Sequence, residues 1–213
     1  MIELVFVIVV LGIISSLAMD RMDRDLKQEA AETILSHIRL AQQLALRDNK
    51  HRLDNDPAWQ TAYWRFEYEK CDNVDRYIYR VGSDSDLSGG INKEEAAIDP
   101  TSGKYIWADG ACDSFDDLEA DESQDVYLYG RFGVEGISHS TTTGSCTTQN
   151  IGFDFLGRPH SGLKNYKDDN RAEFQQRMSK DCTLTFEMKD GQSFQIKILA
   201  ETGHAFIVGQ EDS

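Results

Sequence analysis

Glycine and proline are missing between Ile13 and Asn49, and lysine and arginine are missing from residues 1–19. The first absence removes the residues that break helices, so nothing local stops a helix across that stretch. The second argues against a secretory signal peptide, which opens on basic residues, although Ser16-Leu17-Ala18 would pass as a cleavage site. Basic residues are scarce throughout: 22 Lys and Arg stand against 37 Asp and Glu, for a net charge of -15. The acidic residues gather after residue 53, as in DSFDDLEADESQD from Asp113. A surface of that sign repels phosphate backbones and anionic headgroups and attracts divalent cations, so no nucleic-acid partner is expected. Catalytic signatures are missing too. There is no P-loop glycine pattern, no His-Glu-x-x-His and no Gly-x-Ser-x-Gly, and the chain is not expected to be an enzyme. His139 sits in a polar loop without a carboxylate at a recognised spacing, and His37 falls on a helical stretch. Arg158 and His160 would suit an anion, but a turn at Gly157-Arg158-Pro159 explains them equally well. No internal repeat or low-complexity linker divides the chain.

What is present is first a long apolar run, MIELVFVIVVLGIISSLAM, broken only by Glu3. Its length approaches the roughly 17 to 25 residues that span a bilayer and exceeds most buried helices. A retained transmembrane helix is therefore preferred over a core helix or a cleaved signal. An ionised carboxylate at bilayer depth costs a few kcal/mol, so Glu3 needs a partner or a purpose. Helical periodicity continues beyond the run, with Met22, Leu26, Ala30, Ile34, Ile38, Ala41 and Ala45 at steps of three or four. One helix from about Ile2 to about Asp48 would be about 70 Å long. It would be apolar all round in its first half and amphipathic in its second, so the second half must lean on something.

After Asn49 the period changes to two. Trp64, Phe66 and Tyr68 share a face, and Tyr77–Tyr79, Val126–Tyr129 and 151–155 read as further strands. Thr183–Phe186 and Ser193–Ile198 flank a turn at Lys189-Asp190-Gly191 and predict a hairpin, with a last strand from Ala205 to Val208. The expected class is α+β: a transmembrane half-helix over 1–19, an amphipathic half over 20–50, and a β-rich head over 51–213.

The opening segment resembles the N-terminus of type IV pilins and pseudopilins. Their mature chains commonly start Phe-Thr-Leu-Ile-Glu-Leu, and Met1-Ile2-Glu3-Leu4 followed by VFVIVVLGII is similar to that pattern from its third position. The later Phe-Leu-Gly-Arg turn and the Thr-Gly-His-Ala-Phe-Ile strand resemble the minor pseudopilin H group of type II secretion. The resemblance implies a pilin-like fold, N-methylation after processing by a prepilin peptidase, and assembly through Ile2, Glu3 and Leu4, with Glu3 meeting the N-terminal amine of a neighbouring subunit. It implies partners among other pilin or pseudopilin subunits, the inner-membrane assembly machinery and secreted protein substrates. It also implies a single-pass inner-membrane protein with its head in the periplasm, drawn into a periplasmic or surface filament. Gly-Phe-Thr and a basic leader do not precede Met1, so Met1 is expected to be internal or the sequence trimmed. Asp20 stands where many major pilins carry a kinking proline, which leans towards a minor subunit. A minor type IV pilin serving adhesion or DNA uptake is the nearest alternative. A calcium-binding module that never polymerises is the other.

Four cysteines, Cys71, Cys112, Cys146 and Cys182, all lie in the head, and an even number on an exported domain fits two disulfides. No Cys-x-x-Cys occurs, which argues against zinc or a redox motif. Three pairings are open; Cys146 with Cys182 and Cys71 with Cys112 are favoured because each closes a moderate loop between strand regions.

The sharpest chemical pattern is DSDLSGGINKEE, Asp84 to Glu95. Read as a calcium loop, it puts Asp84, Asp86 and Ser88 at positions one, three and five, Gly89 at the turn, Asn92 at nine and Glu95 at twelve. Alternate oxygen donors converge as the chain curls, and a late glutamate closes the sphere. The bland reading is an acidic surface loop. Tyr77–Tyr79 before it reads as strand rather than helix, so a paired EF-hand is not expected. The Asp113 to Asp125 run would add further ligands or remain a solvated loop.

Overall fold

The computed structural model describes residues 2–52, 57–72, 74–109, 118–163 and 176–211, but not the side chains of 2–4, 13–25, 57 and 58. Its first element is helix α1, Ile2–Arg47. The expected stripe explains how α1 meets the rest of the chain. Ala30, Ile34, Ile38, Ala41 and Ala45 are all buried, along with Ala31 and Leu35. Alanines at three of the helical steps let the helix axis approach the sheets closely, while the two isoleucines supply most of the apolar area. The Met22 side chain lies outside the described residues, and Leu26 is half-buried.

Two four-stranded antiparallel sheets receive that stripe. The first, in the order β2-β1-β4-β5, is built from β1 (Trp64–Lys70), β2 (Tyr77–Gly82), β4 (Asn150–Phe153) and β5 (Pro159–Ser161). The second, β3-β6-β7-β8, contains β3 (Val134–His139), β6 (Cys182–Met188), β7 (Ser193–Ile198) and β8 (Ala205–Ile207). The hairpin expected around Asp190-Gly191 is β6–β7, with Phe186 opposite Phe194 and their rings stacked 4.8 Å apart. The second half of α1 contacts β1, β2 and β4 of one sheet and β7 and β8 of the other, so it is the element both sheets share. One continuous core results, running through Ile34, Ile38, Phe66, Tyr79, Ile151 and Ile196.

Polar contacts fix the end of the helix on the head. Gln42 Nε2 donates to the carbonyls of Gly157 and Thr202 at 2.9 and 2.8 Å, and the Arg39 guanidinium donates to Ala205 O. These turns close only on glycine. Gly203 has φ +69°, and a Cβ there would lie 2.1 Å from Gly157 O. The Cys146–Cys182 disulfide ties the loop before β4 to the start of β6 across a separation of 36 residues. Cys71 is also disulfide-bonded, and Cys112 lies outside the described residues.

Three expectations are corrected. The first is a membrane-crossing half-helix: among the described residues, no helix is long and apolar enough to cross a membrane. The class of a transmembrane-then-amphipathic helix carrying a pilin-like head therefore gives way to a β-rich architecture of two antiparallel sheets built on the buried face of α1. The second follows from the first, because a single-pass inner-membrane location loses the span on which it rested. The third concerns Val126–Tyr129. Alternating apolar residues there predict a strand, but the chain makes a 3-10 turn at Gln124–Val126 and then helix α2, Leu128–Phe132, capped by Gly133 at φ +75°. Val126, Leu128 and Phe132 are buried, with Tyr127 at the boundary, so a tight turn followed by one helical turn points the apolar residues inward where a strand would have turned half of them out.

Candidate functional site

The loop after β2 begins at a crowded glycine. A Cβ on Gly82 would sit 2.5 Å from Ile91 Cγ2 and 2.7 Å from Glu95 O, so glycine lets the far end of the loop fold back onto the strand. Ser83 N donates to Glu95 O and Trp107 Nε1 to Ile91 O, which close the loop at both ends. Inside it, carboxylates collect backbone N–H groups. Asp84 is fully buried and accepts from Ser88 N and Gly89 N, each at 2.9 Å, and Asp86 Oδ1 accepts from Ser88 N at 2.8 Å. Leu87 is held at φ +59°, a left-handed conformation that these hydrogen bonds stabilise. Glu95 Oε1 accepts from Ser85 N, Ser85 Oγ and Asp86 N, while Oε2 accepts from Asn92 N.

The chain thus brings Asp84, Asp86 and Glu95 together, with a carboxylate oxygen of each within 4.8 Å of the others. Ser88 and Asn92 join them through their backbone N–H groups. The donor chemistry is that of a hard cation. Its engagement is not that of a bidentate closing glutamate, because three donors already fill Oε1 of Glu95. Burial pushes the Asp84 carboxyl up, and the Arg65 guanidinium, with Nη1 3.9 Å from Asp84 Oδ2, works against that rise.

A second acidic group lies beside the loop. Glu119, Asp121 and Glu122 converge on Lys93 Nζ at 2.7, 2.7 and 3.0 Å. Hydrogen bonds donated to Asp121 and Glu119 hold the ammonium well above its ordinary range, and the same contact holds Asp121 below its own. The described part of the acidic run, for which the sequence left further ligands or a solvated loop open, surrounds a cation that the loop itself carries. Residues 113–117 of that run lie outside the described residues.

Sequence reading passed over Lys93, and it also passed over the buried charges of β1 and β2. Arg65 and Glu67 point away from the Trp64–Phe66–Tyr68 face, yet both are buried, with Arg65 Nε 3.1 Å from Glu67 Oε2. Arg80 bridges Glu69 at 2.7 Å and Glu67 at 3.8 Å. The signal was available in the alternating Arg-x-Glu-x-Glu of β1, too densely charged for a face packed on apolar neighbours.

The remaining candidates resolve locally. His139 lies on β3 with Nδ1 2.5 Å from Tyr68 OH, and burial pushes that phenol up. Arg158 and His160 meet an anion, and it is Asp154 of the same turn, at 2.8 Å from Arg158 Nε and 3.2 Å from His160 Nε2. Burial would raise Asp154, but hydrogen bonds from His160 and Arg158 outweigh it and hold the carboxyl at about 2. Ile2, Glu3 and Leu4 belong to α1, and their side chains lie outside the described residues.

The arm of α1 is the other conspicuous feature. Val5, Phe6, Val7, Ile8, Val9, Val10 and Leu11 are all exposed, from 36% at Val10 to 70% at Phe6. Successive residues are about 100° apart, so this sequence covers every side of the helix. Comparison with family models, with curated proteins and with solved structures finds no match to this chain.

Proposed function

We propose that the chain is a structural subunit of a filament, assembled by packing the arm of α1 among copies of itself, with type II secretion pseudopili as the specific kind. One observation carries the reading: the exposed apolar side chains of Val5–Leu11 ring the helix completely. A one-sided groove would cover only part of such a ring, and leaving it in water is unfavourable at about 25 cal/mol for each Å² of apolar surface. A bundle of like helices encloses it from every side. The resemblance of Met1-Ile2-Glu3-Leu4 to the start of pilins and pseudopilins supports the same reading and gives Glu3 a role in registering neighbours. The test is sedimentation and electron microscopy of the full chain beside Ile8→Asp and Glu3→Ala. Filaments from the unaltered chain, and none from either variant with the head still folded, support it. An unaltered chain that stays monomeric at all concentrations overturns it.

A second reading rests on the cluster of Asp84, Asp86 and Glu95: the head takes a calcium ion on that loop. The ion requires Glu95 to release some of its present donors. Melting the protein with and without calcium, and again in Asp84→Ala and Glu95→Ala, decides the matter. A calcium-dependent rise in Tm that both variants abolish supports the site, and equal Tm values in the unaltered chain remove it.

A further inference from the structure

Among the described residues of α1, the buried face is apolar except at His37, which is 3% exposed. Its ring enters the head between two buried polar groups. Nδ1 lies 2.7 Å from the hydroxyl of Tyr79 on β2, and Nε2 lies 3.8 Å from Asp99 Oδ1. Asp99 is itself fixed, accepting from Thr101 N, Ser102 N and Ser102 Oγ. The charged and titratable groups that bear on His37 from the elements packed around it are Asp99, Asp125 beside α2, and Tyr79.

In its neutral form the imidazole suits this setting. In the tautomer that carries its proton on Nε2, the Tyr79 hydroxyl donates to Nδ1 and Nε2–H is directed to Asp99. A proton added to Nδ1 makes both ring nitrogens donors, so the Tyr79 hydroxyl must turn round and its own hydrogen must find another acceptor. The added charge also has to be buried, since His37 is 3% exposed, with Asp99 as its nearest counter-charge. We infer that His37 makes the joint between α1 and the head a proton-sensitive clasp, closed when the imidazole is neutral and loosened when it is protonated. Desolvation lowers the folded-state value of His37, and Asp99 and Asp125 offset only part of that. The sign follows. The unfolded chain takes up the proton first as pH falls through the ordinary histidine value near 6.5, so stability is full above that value and declines below it.

The experiment is chemical denaturation of the full chain at pH 7.5, 6.5 and 5.5, with amide exchange over residues 34–41 at the same pH values. The unaltered protein should lose stability between pH 7.5 and 5.5, by up to roughly tenfold in the folding constant, because pH 5.5 lies about one unit below the ordinary histidine value. Exchange in that helical segment should speed up correspondingly. His37→Gln retains a polar partner for Tyr79 and should flatten the dependence, since the other four histidines remain unchanged. Asp99→Asn should steepen it by removing the counter-charge. Equal pH dependence in His37→Gln and the unaltered protein, or a flatter one in Asp99→Asn, overturns the inference. Should His37→Gln fail to fold, an NMR titration of the unaltered protein decides: an imidazole titrating at or above 6.5 overturns it, and one titrating below supports it.

Discussion

The two halves of α1 use apolar residues in opposite ways. Between Ala30 and Ala45 they recur every three or four residues and disappear into the head, leaving the other faces to Glu29, Glu32 and Gln43. Between Val5 and Leu11 they occupy every position and remain exposed. One pattern is complete within a single chain, and the other is the surface that the proposed filament would cover. Truncating an isoleucine in each half separates the two. Ile38→Ala should cost the folded monomer about 2–5 kcal/mol, since a fully buried isoleucine leaves a cavity between the helix and both sheets. Ile8→Ala should leave monomer stability unchanged in urea and weaken assembly instead. Equal effects of the two on urea midpoints would erase the distinction between the halves.

The disulfide is the next largest effect. Cys146 and Cys182 are buried and close a loop of 36 residues, for which chain entropy gives about 4 kcal/mol. A Cys146→Ser, Cys182→Ser protein should melt well below the oxidised one while its arm still drives association. Loss of assembly without any loss of head stability would put the bridge on the arm's side of the comparison.

Much of this contrast was legible in the chain. The stripe from Ala30 to Ala45, the hairpin at Asp190-Gly191 and the strand before Asp84 follow from hydrophobic period and turn chemistry, which act over a few residues. What was not legible depends on distant partners. Val126–Tyr129 alternates like a strand, yet the turn at Gln124–Val126 and the Gly133 cap make it helical. Lys93 reads as one charge inside a calcium-like loop, and only folding brings Glu119, Asp121 and Glu122 around it. His37 falls in the helical period like any polar residue, and its burial is set by Tyr79 and Asp99, more than 40 positions away along the chain. The apolar opening run satisfied a length rule for membranes, but that rule does not distinguish lipid from a bundle of identical helices.

Acid sharpens the head's side of the comparison. Asp154 is held at about 2 by His160 and Arg158 against the raising effect of its burial, below an ordinary value near 3.8. Its contribution to stability is therefore present above pH 4 and is lost as pH falls from about 4 toward 2, where the folded carboxyl at last protonates. Asp154→Asn should lower stability at neutral pH and remove that part of the acid transition. The carboxylate also anchors the turn through Leu156 N and Arg158 N, so the β4–β5 hairpin should loosen first in hydrogen exchange. An acid transition of unchanged slope in Asp154→Asn would show that this turn contributes nothing to it.

The smallest effect concerns the acidic surface itself. Lys93 is the cation among Glu119, Asp121 and Glu122, and those carboxylates face solvent except for Glu122. Lys93→Gln leaves three negative charges together without their counter-ion. Stability should fall slightly at low ionic strength and recover as salt is added, because screening acts strongly on exposed charges within about 10 Å at 0.1 M. The association proposed for the arm responds to salt in the same direction but for a different reason, since it would be apolar and kosmotropic salts strengthen it. A titration with sodium sulfate read by both melting and sedimentation would then show two curves in Lys93→Gln, a rising Tm for the head and a rising assembly for the arm. In the unaltered chain sulfate still raises Tm through its exclusion from the protein surface, so the rise in Lys93→Gln should be the larger of the two. A Tm that rises equally in both proteins would mean that Lys93 does not balance this cluster.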